Sequence, residues 1–161
     1  MGKKTLNDPI LDLFIYETAQ NIEQLETSIL AVEKASSFSL DTINEIFRVM
    51  HTIKGSSAMM MFDNIAILSH AIEDLFYYIR EEKPADMDWA LLSDLVLEGV
   101  DFIKLEMEKV KNADGLDGDP SELIKSIKAF LSSIKNGGSK AASEIGMNPP
   151  VSEHYYLSPD N

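Results

Sequence analysis

Apolar residues recur at every third or fourth position along nearly the whole stretch from residue 9 to residue 135. Nowhere do they alternate over enough positions to suggest a strand. That periodicity restricts the chain to an all-α fold, since each helix has one apolar stripe that must be buried against another helix. Asp8 as cap and Pro9 in the first turn predict a helix running to about Lys34, with Leu13, Ile22, Leu25, Ile29 and Val32 facing inward. After a polar break at Ser36–Ser39, a second helix is expected from about Asp41 to Met60, burying Ile43, Ile46, Phe47, Met50, Ile53 and Met61. Asp63 is the expected cap of a third helix, from about Asn64 to Glu82, with its stripe at Ile65, Leu68, Ile72, Leu75, Phe76 and Ile79. Pro84 interrupts it, and Asp86 or Asp88 can cap a fourth helix that reaches about Asn112. Asp119-Pro120-Ser121-Glu122 combines an N-cap, a first-turn proline and a capping-box carboxylate for a fifth helix, ending near Lys135. Five helices on short connectors predict an up-and-down antiparallel helical bundle, a four-helix core plus a C-terminal helix.

The organisation is then an N-terminal arm over residues 1–8, a bundle over 9–135 and a flexible linker over 136–161. The linker reading rests on Gly137-Gly138-Ser139, Asn148-Pro149-Pro150 and Ser158-Pro159, where the periodicity stops. His154, Tyr155 and Tyr156 lie there and are assigned no chemistry. A chain ending in a connector is expected to be one domain of a longer protein. No cysteine is present, which excludes disulfide and thiol chemistry and permits a cytoplasmic setting. The formal net charge of −13, from 27 acidic and 14 basic residues, leaves no basic stripe for nucleic acid and would be repelled by anionic lipid. Neither a signal peptide nor a run of apolar residues of membrane-spanning length is present. Nucleic-acid and membrane partners are therefore not expected.

Chemistry concentrates in His51-Thr52-Ile53-Lys54-Gly55 and in His70 and Glu73 on the next helix. If residues 61–63 turn tightly between two antiparallel helices, residues whose positions share a constant sum stand level. His51 and Glu73 sum to 124, and so do Lys54 and His70. His51 falls at the edge of its helix's buried arc, where an imidazole can be exposed while the helix stays packed. Lys54 falls inside that arc and must extend its ammonium outward along a buried stem. Gly55 costs about 1 kcal/mol in a helix interior relative to alanine, so its place beside His51 suggests that something approaches the backbone closely. Glu73 level with His51 can fix the ring tautomer and stabilise positive charge on it. Lys54 would offset phosphoryl charge, with His70 as a supporting hydrogen-bond donor. This suits a histidine that accepts a phosphoryl group. Met59-Met60-Met61 is expected to fill the core at a helix end, and Tyr77-Tyr78 and Trp89 to pack with a polar tip exposed.

Glu45-Ile46-Phe47-Arg48-Val49-Met50-His51-Thr52-Ile53-Lys54-Gly55, with His70-Ala71-Ile72-Glu73-Asp74-Leu75, resembles the histidine phosphotransfer (HPt) domain of the chemotaxis histidine kinase CheA. The likeness covers about residues 8 to 135. The chain departs from the family pattern after Ser57: small residues and a glycine commonly precede an aromatic there, and Ala58-Met59-Met60-Met61-Phe62 stands in their place. The resemblance implies that the ATP-binding domain of a CheA-type kinase phosphorylates His51, using Mg-ATP, on the ring nitrogen not engaged by Glu73. It further implies transfer of the group to an aspartate of a CheY-like or CheB-like response-regulator receiver. No cofactor or metal is implied for this segment, which resembles a substrate and carrier in a two-component system. The isolated domain is expected to be monomeric.

Three other readings compete. An HPt module of a multistep phosphorelay would be fed by a receiver instead of a kinase domain. A metal-binding helical bundle needs carboxylates on several helices and two Glu-x-x-His elements, whereas His70-x-x-Glu73 occurs once and reversed. An adaptor bundle would leave the His51–Lys54–Glu73 arrangement a coincidence.

Overall fold

The computed structural model describes residues 8–33 and 37–136. Residues 1–7 of the expected arm, the end of the first helix at Lys34, Ser36 of the polar break, and residues 137–161 of the expected linker, with His154, Tyr155 and Tyr156, lie outside the described residues. Among the described residues five helices follow in order: α1 Pro9–Glu33, α2 Leu40–Met59, α3 Asp63–Glu82, α4 Trp89–Lys111 and α5 Ser121–Lys135. Helix α1 packs on α2 and α4, α2 pairs with α3 as a hairpin, and α5 lies on α3 and α4. The architecture is thus the expected four-helix core with a C-terminal helix laid against it.

Caps explain most of the boundaries. Asp8 Oδ1 accepts from Leu11 N at 3.1 Å, Ser39 Oγ from Thr42 N at 3.1 Å, and Asp88 Oδ1 from Leu91 N at 3.0 Å. Helix α3 ends at Lys83, left-handed at φ 46°, before Pro84. Two expected caps sit differently. Asp63 is the first residue of α3, preceded by Phe62 in the cap position with no side-chain cap. Asp119 does accept from Ser121 N at 3.0 Å, but Pro120 holds the cap position of α5 and Glu122 faces Lys125 at 3.7 Å instead of closing a capping box.

The turn between α2 and α3 carries most of the site's geometry. Phe62 N donates to Ser57 O at 2.8 Å and Met61 N to Ala58 O at 3.0 Å, the paired bonds of a Schellman motif. Such a motif needs one left-handed residue, and Met61 supplies it at φ 66°. Met61 is the residue directly before Phe62, within the stretch where the family resemblance leads to small residues and a glycine. The left-handed turn swings its side chain off the buried arc, so Met61 is 79% exposed, and Met59, still within α2, is 80% exposed. Neither fills the core as expected; Met60 packs against it in part. Phe62 anchors the turn to α1 through an edge contact with Phe14, ring centroids 5.3 Å apart.

The core is built from the stripes that the periodicity identifies, including all six expected residues of α3. In α1 the buried line is Leu11, Phe14, Thr18, Ile22, Leu25 and Ile29, while Leu13, expected inward, is 55% exposed. Spacings of three and four from Leu11 and Phe14 leave Leu13 off the line, and Val32 is only half-buried at the helix end. Helices α3 and α4 meet closely at Gly99: a Cβ there would stand 2.7 Å from Ile72 Cδ1. Trp89 stacks on Phe38 at 5.5 Å, and Phe38 on Phe76 at 6.3 Å, tying the start of α2 to α3 and α4.

One buried charge was not anticipated. Glu106 interrupts the apolar stripe of α4 and is buried. Its Oε1 accepts from Asn64 Nδ2 at 3.0 Å and from Gly118 N at 3.3 Å, and its Oε2 lies 2.7 Å from Lys109 Nζ. Asn64 Nδ2 also donates to Gly118 O at 3.0 Å. These bonds fasten the α4–α5 connector to the N-terminal end of α3.

Candidate functional site

His51, Lys54 and Gly55 project from α2 and Glu73 from α3. The tight turn sets the register between them. His51 Nδ1 lies 2.6 Å from Glu73 Oε2, as the level pairing requires. The imidazole is 62% exposed, whereas the Glu73 side chain is 10% exposed. A carboxylate under the helix surface therefore holds a ring that stands in solvent.

Glu73 is shared. Its Oε1 lies 2.7 Å from Lys54 Nζ, an ion-pair distance without the alignment of a hydrogen bond. Burial pushes the Glu73 carboxyl up, but the Lys54 ammonium and the His51 ring beside it outweigh burial and hold it below its ordinary value. The carboxylate is thus ionised at neutral pH and can only accept. The proton in the 2.6 Å contact must then sit on His51 Nδ1, which leaves the Nε2 lone pair free. Chemically, this is a solvent-exposed imidazole of fixed tautomer with a buried anion behind it.

The second level pair behaves differently. Lys54 reaches Glu73 instead of facing His70, because a four-carbon stem can run diagonally to the nearest buried carboxylate. His70 is exposed, with Nε2 3.5 Å from Asp74 Oδ1 on its own helix. At Gly55 nothing lies within 4 Å of where a Cβ would stand, so this chain's own packing does not demand a glycine there.

Three residues at the site escaped the sequence reading. The Phe47 ring stacks beside the His51 ring, centroids 6.2 Å apart and planes 17° apart. The Arg80 guanidinium carbon lies 4.3 Å from the centre of Phe47 and 5.5 Å from that of Tyr77. The signals were the four-residue step from Phe47 to His51 and the same sum of 124 linking Phe47 to Tyr77. Phe47, expected in the buried arc, is half-buried, and Tyr77 is exposed as expected of its polar tip. Among the described residues, no group of three or more His, Asp or Glu is placed to hold a metal ion. None of the helices is long and apolar enough to cross a membrane, again among the described residues.

Comparisons with known proteins converge on one family. The Hpt domain family model matches residues 9–113, which takes in α1 to α4 and stops short of α5. The chain is 35% identical over 125 residues to the chemotaxis protein CheA of Treponema pallidum, covering 78% of this chain and 15% of that protein. It is 36% identical over 130 residues to the chemotaxis protein CheA of Borreliella burgdorferi, covering 78% and 14%. The chain therefore spans about one seventh of the length of these relatives. Among solved structures, the solution structure of the histidine phosphotransfer domain of CheA aligns with a TM-score of 0.65 and 29% identity. That alignment covers 74% of this chain and 90% of the other.

Proposed function

The chain belongs to the Hpt domain family, and from that premise we propose that His51 is the phosphoacceptor of a CheA-type chemotaxis kinase. The observation that carries the reading is the 2.6 Å contact between His51 Nδ1 and a buried Glu73 carboxylate, with the ring itself in solvent. Nε2 attacks the γ-phosphorus of Mg-ATP held by the kinase ATP-binding domain. The N–P bond forms as the bond from phosphorus to the ADP oxygen breaks. The ring gains positive charge, which Glu73 stabilises through the Nδ1 proton. Lys54, one turn on, lies close enough to neutralise phosphoryl charge, and His70 supports from the preceding turn of α3. Gly55 leaves the adjacent backbone open to the incoming domain.

The N–P bond then breaks as an aspartate oxygen of a CheY-like or CheB-like receiver takes the phosphoryl group. Transfer of this kind asks mainly for positioning and electrostatics, which a rigid bundle presents without a nucleotide site of its own. The CheA relatives favour a kinase donor over a phosphorelay receiver, and the cytoplasm is the setting such a relay implies. The test is phosphorylation by a separately supplied CheA-type ATP-binding domain with Mg-ATP. The native chain should acquire acid-labile phosphate, and His51→Gln should acquire none while remaining helical. Label persisting on His51→Gln would remove the assignment.

A further inference from the structure

A single hydrogen bond fixes one atom of a ring, not its plane. His51 is held at Nδ1 by Glu73, yet its exposed imidazole could still swing about the Nδ1–Oε2 line and misdirect Nε2. A second constraint on the plane is present. Phe47, one helical turn before His51, lays its ring within 17° of parallel to the imidazole. Phe47 is itself half-buried, packed against the core and beside Tyr77 with ring centroids 6.1 Å apart, and Arg80 of α3 stacks its guanidinium on that ring at 4.3 Å. The shared register puts the Arg80 backbone level with Asn44, further along the hairpin from His51 than Phe47 is. Arg80 is in turn anchored, since its Nε donates to Glu81 Oε2 at 3.0 Å.

We infer that Phe47 is a positioning residue for the His51 imidazole, with Arg80 stacked on its ring. Its kinetic consequence rests on the phosphoacceptor role proposed above; its effect on the ring does not. An unconstrained imidazole in water favours the proton on Nε2. Loosening the plane should therefore weaken the Glu73 contact and let the proton migrate onto the nitrogen that has to react.

The test uses the full chain labelled with nitrogen-15, reading the His51 Nδ1 and Nε2 resonances, beside phosphorylation by a CheA-type ATP-binding domain. Phe47→Leu should shift His51 toward a mixture of tautomers and lower kcat about tenfold, with KM for the chain changed less than about twofold. Phe47→Tyr, which keeps the ring, should restore both. Arg80→Gln should give a smaller change in the same direction. Ile53→Val, a packing change in the same helix, should alter neither readout. An unchanged tautomer in Phe47→Leu, a loss that Phe47→Tyr does not recover, or an effect confined to KM would each overturn the inference. If the native chain takes up no phosphate, the proposed function fails, and the nitrogen resonances still decide the role of Phe47.

Discussion

His51 Nδ1 and Glu73 Oε2 lie 2.6 Å apart although 22 positions separate them in the chain, and they sit on opposite arms of one hairpin. That contact ties the tautomer of an exposed ring to the charge of a buried one-residue anchor. Replacing Glu73 with glutamine tests the tie, because an amide can donate to Nδ1 as readily as accept from it. Glu73→Gln should lower the phosphorylation rate at least about a hundredfold, by analogy with carboxylate-to-amide changes behind other catalytic histidines. Rate measurement at saturating kinase domain checks this, and an unchanged rate would remove Glu73 from the mechanism.

The same carboxylate makes stability depend on pH. Burial raises Glu73, while Lys54 and His51 pull it further down, leaving it below its ordinary value of 4.5 in the folded chain. Since the folded value is the lower one, its contribution is present above pH 4.5 and is lost as pH falls through the folded value. The stability difference between the native chain and Glu73→Gln should therefore be about 2 kcal/mol near neutrality and shrink below pH 4.5. Urea melts across that range measure it; a difference independent of pH would mean that Glu73 contributes by packing alone.

Lys54 separates charge from packing. Lys54→Met keeps the stem in the apolar arc and removes the ammonium that lies 2.7 Å from Glu73. Phosphorylation should slow at least about tenfold, while stability falls by less than about 1 kcal/mol because the ammonium is partly solvated. Comparable losses of rate and of helicity would identify Lys54 as a packing residue.

Met61 holds the left-handed place in the Schellman turn with an exposed thioether side chain. Met61→Gly should relieve the clash of its Cβ with the backbone and raise stability by about 1 kcal/mol, a gain in Tm of a few degrees. Thermal melting decides it, and a fall in Tm would show that the methionine contacts outweigh the strain.

Glu106 is the acceptor for both Asn64 and Gly118, so Glu106→Ala strands two donors near the α4–α5 connector. The expected cost is about 2 kcal/mol, with faster amide exchange across residues 112–120. His51 phosphorylation should be unaffected, which separates the integrity of that connector from the chemistry.

What could be read in advance followed from how local each rule is. Level pairing located His51 opposite Glu73 because the arithmetic depends on the backbone and the Met60–Phe62 turn is tight. The same arithmetic set Lys54 level with His70 but did not locate its ammonium, since register says where a Cα stands and not where a long side chain ends. The helical wheel identified the stripe of α3 in full but carried Met61 one step too far, past the point where its positive φ ends the period. Leu13 was misjudged because hydrophobicity alone does not tell which of two neighbouring apolar lines faces the core. Glu106 was legible only as an anomaly, a carboxylate at a stripe position whose partners lie 42 and 12 residues away. The Phe47–Arg80 contact joins residues on two helices, and nothing in either helix alone points to it.

All the residues that shape the proposed acceptor, from Phe47 to Arg80, belong to the α2–α3 hairpin. The named side chains of the site therefore all come from one helix hairpin. It is also transplantable in principle. A domain that pulled α5 aside, or an ancestor that exchanged α1 and α4 for other apolar helices, would leave imidazole, carboxylate and ammonium in the same register. The outer helices can thus change their exposed faces while the proposed reacting atoms stay put.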